Sequence, residues 1–167
     1  MLDLNNLFSK YKVRKLEPED CSIILDLQRG NPLYFEYCPP QASIKGIIDD
    51  LSTLPPGKSK EDKYFLGFFD NNQLIAIIDL IASYPREDTV YIGLFMVDSK
   101  ESGKGTGSSI IEETLRWLKL EGYSRVKLAY IKENPQSKHF WTKCGFTDTG
   151  IETDNNRGRV ISLVKEL

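Results

Sequence analysis

The residues of this chain best suited to chemistry lie in the stretch Val97-Asp98-Ser99-Lys100-Glu101-Ser102-Gly103-Lys104-Gly105-Thr106-Gly107-Ser108, between an apolar run and an amphipathic one. Glycines alternating at 103, 105 and 107 let a backbone turn tightly and approach a ligand closely. A helix that begins there presents unpaired N–H groups and the positive end of its dipole, an arrangement that binds phosphate. Lys104 can add charge, and Ser108 or Ser109 a hydroxyl. The plainer reading of the same residues is a flexible surface turn with a helix cap. Two well-known phosphate loops fit poorly. A Walker loop requires Lys-Ser or Lys-Thr directly after its last glycine, and neither follows Gly107. A Rossmann fingerprint requires glycine where Ser108 stands, and normally follows the first strand of its unit.

Candidates for proton transfer are few. Asp79 is the one charged residue of the run LIAIIDLIA, Leu74 to Ala82, and burial there would raise its pKa into the range of a general base. Its plainer role is a structural hydrogen-bond acceptor or an exposed strand edge. Glu36 lies within the aromatic segment Leu33-Tyr34-Phe35-Glu36-Tyr37-Cys38. His139, the lone histidine, reads as a surface residue of a helix and excludes a metal centre built from histidines.

These residues must be positioned by a mixed α/β scaffold. Tyr11 to Leu16 alternates as a strand, and Glu17-Pro18-Glu19-Asp20 starts a helix that carries Ile23, Ile24 and Leu27 to Gly30. Asn31-Pro32 is expected to stop it, and the aromatic segment that follows reads as irregular. Ser43 to Leu51 reads as a second helix with Ile44, Ile47, Ile48 and Leu51 on one face. Strands are expected at Lys63 to Phe69, Leu74 to Ala82 and Thr89 to Val97, with turns at Asp70-Asn71-Asn72 and Tyr84 to Asp88. The run from Leu74 is apolar on both faces except at Asp79, which places it centrally in the sheet. Ile110, Ile111, Leu115 and Leu118 mark a helix ending near Gly122. A strand at Val126 to Ile131, a helix at Asn134 to Lys143, and strands at Phe146 to Ile151 and Arg159 to Val164 around Asp154-Asn155-Asn156 complete the chain. The order is β-α-α-β-β-β-α-β-α-β-β, a mostly antiparallel central sheet flanked by helices, in one domain over residues 1–167.

Bulk properties narrow the function classes. With 40% hydrophobic and 28% charged residues, the composition is that of a globular protein. A net charge of −2 with interspersed signs argues against nucleic acid as a partner. No apolar run is long enough for a membrane helix, and the opening MLDLNNLFSKYK lacks the apolar core of a secretion signal. Cys21, Cys38 and Cys144 are odd in number and widely spaced, which suits reduced thiols in a cytoplasmic protein better than a disulfide framework or a zinc site.

On these residues the chain resembles the GNAT superfamily of N-acetyltransferases. That family carries Gln/Arg-x-x-Gly-x-Gly/Ala between its fourth strand and the next helix. Here Gly105 and Gly107 match the glycines, and Ser102 takes the Gln/Arg position. The family then has an asparagine after its fifth strand and a helix ending in a Phe-Tyr-x-x-x-Gly-Phe-like motif. Here Asn134 is followed by Phe140, Trp141, Gly145 and Phe146 at matching spacing. The resemblance covers about residues 10 to 165, and most strongly Val90 to Phe146.

The resemblance implies acetyl-CoA as acyl donor and a primary amine as acceptor, with no metal. It implies that the fourth and fifth strands part at a bulge near Leu94 to Met96. The donor site would comprise Phe95, Met96 and Val97 on the strand, Ser102, Gly103, Lys104, Gly105, Thr106, Gly107 and Ser108 in the turn, and Asn134, Phe140 and Trp141 beyond. The pantetheine arm would pair with the backbone at Phe95 and Val97, the pyrophosphate would rest on the amides from Gly103 to Ser108, and the Phe95 N–H would hold the oxyanion. Asn134 would touch the pantetheine or cap its own helix before Pro135. Candidate bases are Asp79, Glu36 and Tyr91, the last sitting where some relatives place a glutamate; water-mediated deprotonation is a further route. Tyr34, Phe35 and Tyr37, with Glu36 and Cys38, would wall an aromatic acceptor site bearing an acid, suited to a cationic amine. Trp141 replaces the family's tyrosine, and an indole releases no proton near neutral pH. That replacement and Ser102 keep open a second reading, an acyl-CoA-binding module without turnover; a nucleotide-binding module is a third. Both monomer and homodimer are open, dimers being common in this family.

Overall fold

The computed structural model describes residues 2–7, 9–155 and 158–167. The alternating segment at the N-terminal side forms strand β1, Lys12–Lys15. Helix α1, Cys21–Arg29, follows a short turn of 3₁₀ helix whose reciprocal Glu17–Asp20 bonds make a capping box around Pro18. The aromatic segment differs from expectation. Pro32 opens a helix, α2 (Pro32–Tyr37), instead of only closing α1. Proline lacks just the N–H that a first helical turn leaves unused, so the same residue ends one helix and starts the next. Helix α3, Ile44–Ser52, is capped by the Ser43 side chain, which accepts from the Gly46 N–H. It buries Ile47 fully but leaves Ile44 and Ile48 at 42% and 45% exposure, so its expected four-residue apolar face is only partly covered.

Strands β2 (Lys63–Asp70), β3 (Gln73–Ile81) and β4 (Thr89–Val97) form an antiparallel meander with β1. Asn71 and Asn72, both at positive φ, make the β2–β3 turn. Helix α4, Thr106–Leu120, carries the chain to β5, Arg125–Ile131, which pairs parallel with β4. Helix α5, Pro135–Lys143, then leads to the hairpin of β6 (Thr147–Asn155) and β7 (Gly158–Glu166), with β7 paired antiparallel to β5. Asn156, part of the expected polar turn, lies outside the described residues. The seven strands stand in the order β1-β2-β3-β4-β5-β7-β6, so the mixed, mostly antiparallel α/β sheet is as expected, with one helix more.

Strands β2 and β3 are buried on both faces. Ala76, Ile78 and Leu80 of β3 pack with Ile110, Ile111, Trp117 and Leu118 of α4. Ile77 of the same strand packs with Ile24, Leu27, Phe35 and Ile47 from α1, α2 and α3. The two-sided burial explains why β3 reads as a continuous apolar run, and it determines the surroundings of Asp79. Replacing the fully buried Ile77 by alanine is expected to remove about 2–5 kcal/mol of stability. The measurement is a urea titration whose midpoint falls while its slope stays constant.

Candidate active site

The site begins where two strands separate. β4 and β5 are paired only from Thr89–Arg125 to Ile92–Leu128. Beyond that point β4 follows β3 to Val97, and β5 follows β7 to Ile131. The separation coincides with a bulge. Asp79 faces Leu94 while the next residue, Leu80, faces Ile92, so Gly93 is an extra residue in β4. The bulge therefore lies at Gly93, just before the expected span of Leu94 to Met96. It exchanges the faces of the strand: Val90 and Ile92 pack toward α4, but after it Phe95 and Val97 do so, and Leu94 and Met96 turn to α1–α3.

A groove of about 760 Å³ opens between the separated strands. Tyr91, Phe95, Met96 and Val97 line its β4 side, and Ser102, Gly103, Gly105, Thr106, Gly107 and Ser108 line its far end. Asn134, Phe140 and Trp141 form the α5 wall, and Tyr34 belongs to the opposite mouth. Thus most of the expected donor-site residues meet in one cavity. Lys104 is the exception: its ammonium turns to Glu101 at 3.2 Å, and it does not line the groove.

The glycines have distinct tasks. Gly103 and Gly105 adopt left-handed φ of 74° and 78°, which brings the chain into α4 without a side-chain cap on the helix. The first return bond is Ser109 N–H to Gly105 O at 3.0 Å, so the amides of Thr106, Gly107 and Ser108 reach no helical carbonyl. Gly107 permits close approach, since a Cβ there would lie 3.2 Å from the Phe140 ring and 3.4 Å from Val97.

Across the groove, Asn134 caps α5 by accepting from the Ser137 N–H at 3.1 Å, the second of its two expected roles. Phe140 stacks on Phe95 with ring centroids 5.7 Å apart, and Trp141, 7% exposed, packs edge-on against Phe140 and Phe146. Asn31 was not singled out in the sequence. Its side-chain amide donates to Leu27 O at 2.9 Å and to Val97 O at 3.0 Å, tying the end of α1 to the last carbonyl of β4. Only its place before Pro32 hinted at a structural task.

The acceptor side is reorganised by α2. Tyr34 and Cys38, one helical turn apart, line the groove together with Pro32 and Leu33. Phe35 points into the core at 9% exposure, and Tyr37 and the exposed Glu36 stand off the groove. The expected aromatic wall with an acid is therefore reduced to Tyr34 among mostly apolar neighbours, because helical geometry puts Tyr34 and Cys38, four positions apart, on one side and turns the three residues between them away.

Asp79, its side chain 13% exposed, lies on the α1–α3 face of the sheet and is not a groove-lining residue. Its Oδ2 accepts from Lys63 Nζ at 2.9 Å, and the same ammonium lies 2.8 Å from Oδ1, off the hydrogen-bond direction. A Cβ at Gly93 would come within 2.8 Å of Oδ2, so the carboxylate occupies the space that a side chain at the bulge would need. Burial pushes the Asp79 carboxyl up to about 6; Lys63 opposes the rise and Asp50 adds to it. Tyr91 lines the groove and meets Tyr84 edge-on at 5.8 Å, and burial raises its phenol above the ordinary value. Lys63, the partner of Asp79, was also missed; its signal was a lysine opening the apolar strand KYFLGFFD.

A mixed sheet parted over the start of a helix is the fold of known acetyltransferases. An acetyltransferase from Thermus thermophilus superposes with a TM-score of 0.77 at 18% identity, covering 95% of this chain and 98% of that one. The PaiA N-acetyltransferase of Thermoplasma acidophilum, solved in complex with coenzyme A, gives 0.68 at 20% identity, covering 95% and 100%. A streptothricin acetyltransferase of Escherichia coli is 29% identical over 94 residues, which are 56% of this chain and 53% of that protein. The match thus spans about half the length of that curated relative. The sequence profile of the acetyltransferase (GNAT) family matches residues 26–146, and the chain belongs to that family.

The raised Asp79 carboxyl has a consequence for stability. The folded chain holds this proton more tightly than the unfolded chain, so between the ordinary carboxylate value of 3.8 and about 6 its contribution favours folding at the acid end. That contribution is lost as pH rises through 6. Urea unfolding at pH 4.5 and pH 7 is expected to show a loss across this window in the wild type that Asp79→Asn reduces.

Proposed function

We propose that this chain, acting as a single domain, transfers an acetyl group from acetyl-CoA to a primary amine of a small molecule or peptide by direct attack on the thioester. The observation that carries the reading is the parting of β4 and β5 beyond Ile92–Leu128 onto the uncapped amides of α4. A diphosphate suits those amides, because dipole and unpaired N–H groups act together there. The pantetheine arm suits the separated edges, with Phe95, Met96 and Val97 on one side and the ring of Phe140 over Phe95.

In this scheme the Phe95 N–H stabilises the oxyanion. Asp79, whose Oδ2 lies behind Gly93 of the groove wall, takes one proton from the bound ammonium through an intervening water. The freed lone pair attacks the thioester carbonyl, the C–N bond forms, and the C–S bond breaks with its electrons leaving on sulfur. The second nitrogen proton passes to the thiolate, and Asp79 returns its own to solvent. A thiol of pKa about 8.5 is an undemanding leaving group, so Trp141 in place of a phenol is compatible with turnover. Tyr91 stays protonated, since burial raises its phenol above the ordinary value. Glu36, exposed and off the groove, is set aside as a base. The mostly apolar mouth around Tyr34 suits an amine carried on an apolar or aromatic body.

Among the described residues no helix is long and apolar enough to cross a membrane. No two of Cys21, Cys38 and Cys144 are bonded to each other, and we place the protein in the cytoplasm, as a monomer or homodimer. The second reading, binding without turnover, rests on the buried indole of Trp141.

Calorimetry should show acetyl-CoA binding, and Gly105→Glu should abolish it by setting a negative side chain beside the diphosphate; unchanged affinity in that variant would refute the placement. Release of free thiol across a panel of primary amines then separates the two readings. Thiol release with at least one amine is expected, and acetyl-CoA binding with none released would overturn transfer.

A further inference from the structure

We propose that Lys63 is a positioning residue of the transfer site, fixing the Asp79 carboxylate behind Gly93 in the groove wall. The inference rests on the transfer reading above. Lys63 does not line the groove, and its ammonium is held by two acceptors. It donates to Thr53 O at 3.1 Å, at the C-terminal end of α3, and to Asp79 Oδ2 at 2.9 Å. The lysine side chain is 7% exposed and the aspartate 13%, so little water competes for either charge. The groups whose charge acts on Asp79 are Lys63 from β2 and Asp50 from α3. Without Lys63, burial and Asp50 act in the same direction, toward a neutral carboxyl that accepts no proton.

The bulge residue lacks a side chain where Oδ2 lies, and it is itself exposed on the groove wall. The lysine is thus shielded from water, and Gly93 stands between the carboxylate and the groove. Oδ2, the oxygen that Lys63 holds, is also the one that lies against Gly93, so the ion pair fixes which oxygen stands behind the groove wall.

The test compares wild type with Lys63→Met, Lys63→Arg and Gly93→Ala. Two readouts are used: the pH profile of kcat/KM with an active amine, and direct titration of Asp79 by carbon NMR of its carboxyl. Lys63→Met should move the acid limb and the carboxyl titration upward by about 1–3 pH units, since it removes an adjacent opposite charge. Lys63→Arg, which keeps the charge, should hold both close to wild type. Gly93→Ala should lower kcat at least about a hundredfold, the lower end of the loss expected when a general base is displaced, with acetyl-CoA affinity unchanged. A Lys63→Met protein whose carboxyl titrates at the wild-type midpoint, or whose acid limb does not move, overturns the role of Lys63 alone. A wild type that binds acetyl-CoA but acetylates no amine overturns the transfer reading instead. Should Lys63→Met not fold, an unmoved kcat in Gly93→Ala still overturns the inference.

Discussion

The structure depends on one local event, the extra residue that β4 carries at Gly93. Parallel pairing with β5 holds only up to Ile92–Leu128, and beyond it the facing edges of the two strands no longer satisfy each other. Backbone donors and acceptors need partners, so a separation of this kind is tolerable where a ligand or water can supply them. The same bulge rotates the rest of β4, which sends Phe95 toward Phe140 and Leu94 and Met96 into the helical core. Groove, ring stack and core boundary thus follow from a single inserted residue.

The second constraint is electrostatic. β3 is covered on both faces, and a carboxylate placed in it must be compensated. Lys63, from the start of β2, supplies the charge. A buried pair of this type adds little net stability, because desolvation offsets attraction, yet losing one member leaves the other uncompensated. Such a pair is better understood as fixing where a charge stands than as strengthening the fold, and here it stands directly behind the bulge.

Around these features the remaining parts are conventional in their physics. Gly103 and Gly105 take backbone angles that side chains resist, and they aim α4 at the groove. Asn134 and Pro135 start α5 in a defined direction, so that Phe140 and Trp141 face β4. Asn31 fastens α1 to the end of β4, and α2 divides its aromatic residues between groove and core.

Much of this was legible in the residues. Periodicity and turn chemistry located the strands and the longer helices, because both are local properties of the chain. The glycine run and the Asn134-to-Phe146 spacing located the groove-lining turn and α5 for the same reason. Tertiary structure alone decided three matters. Whether Pro32 ends a helix or begins one depended on the packing of Phe35 against α1 and α3. The bulge depended on register between strands, where a slip of one residue changes every face and leaves composition unaltered. The partner of Asp79 lies 16 positions away in the chain, across a β-pairing. The sequence determined that one charge would stand in an apolar strand; only the folded sheet, which sets neighbours distant in the chain, determined that this charge is shielded, what neutralises it and that Gly93 lies in front of it.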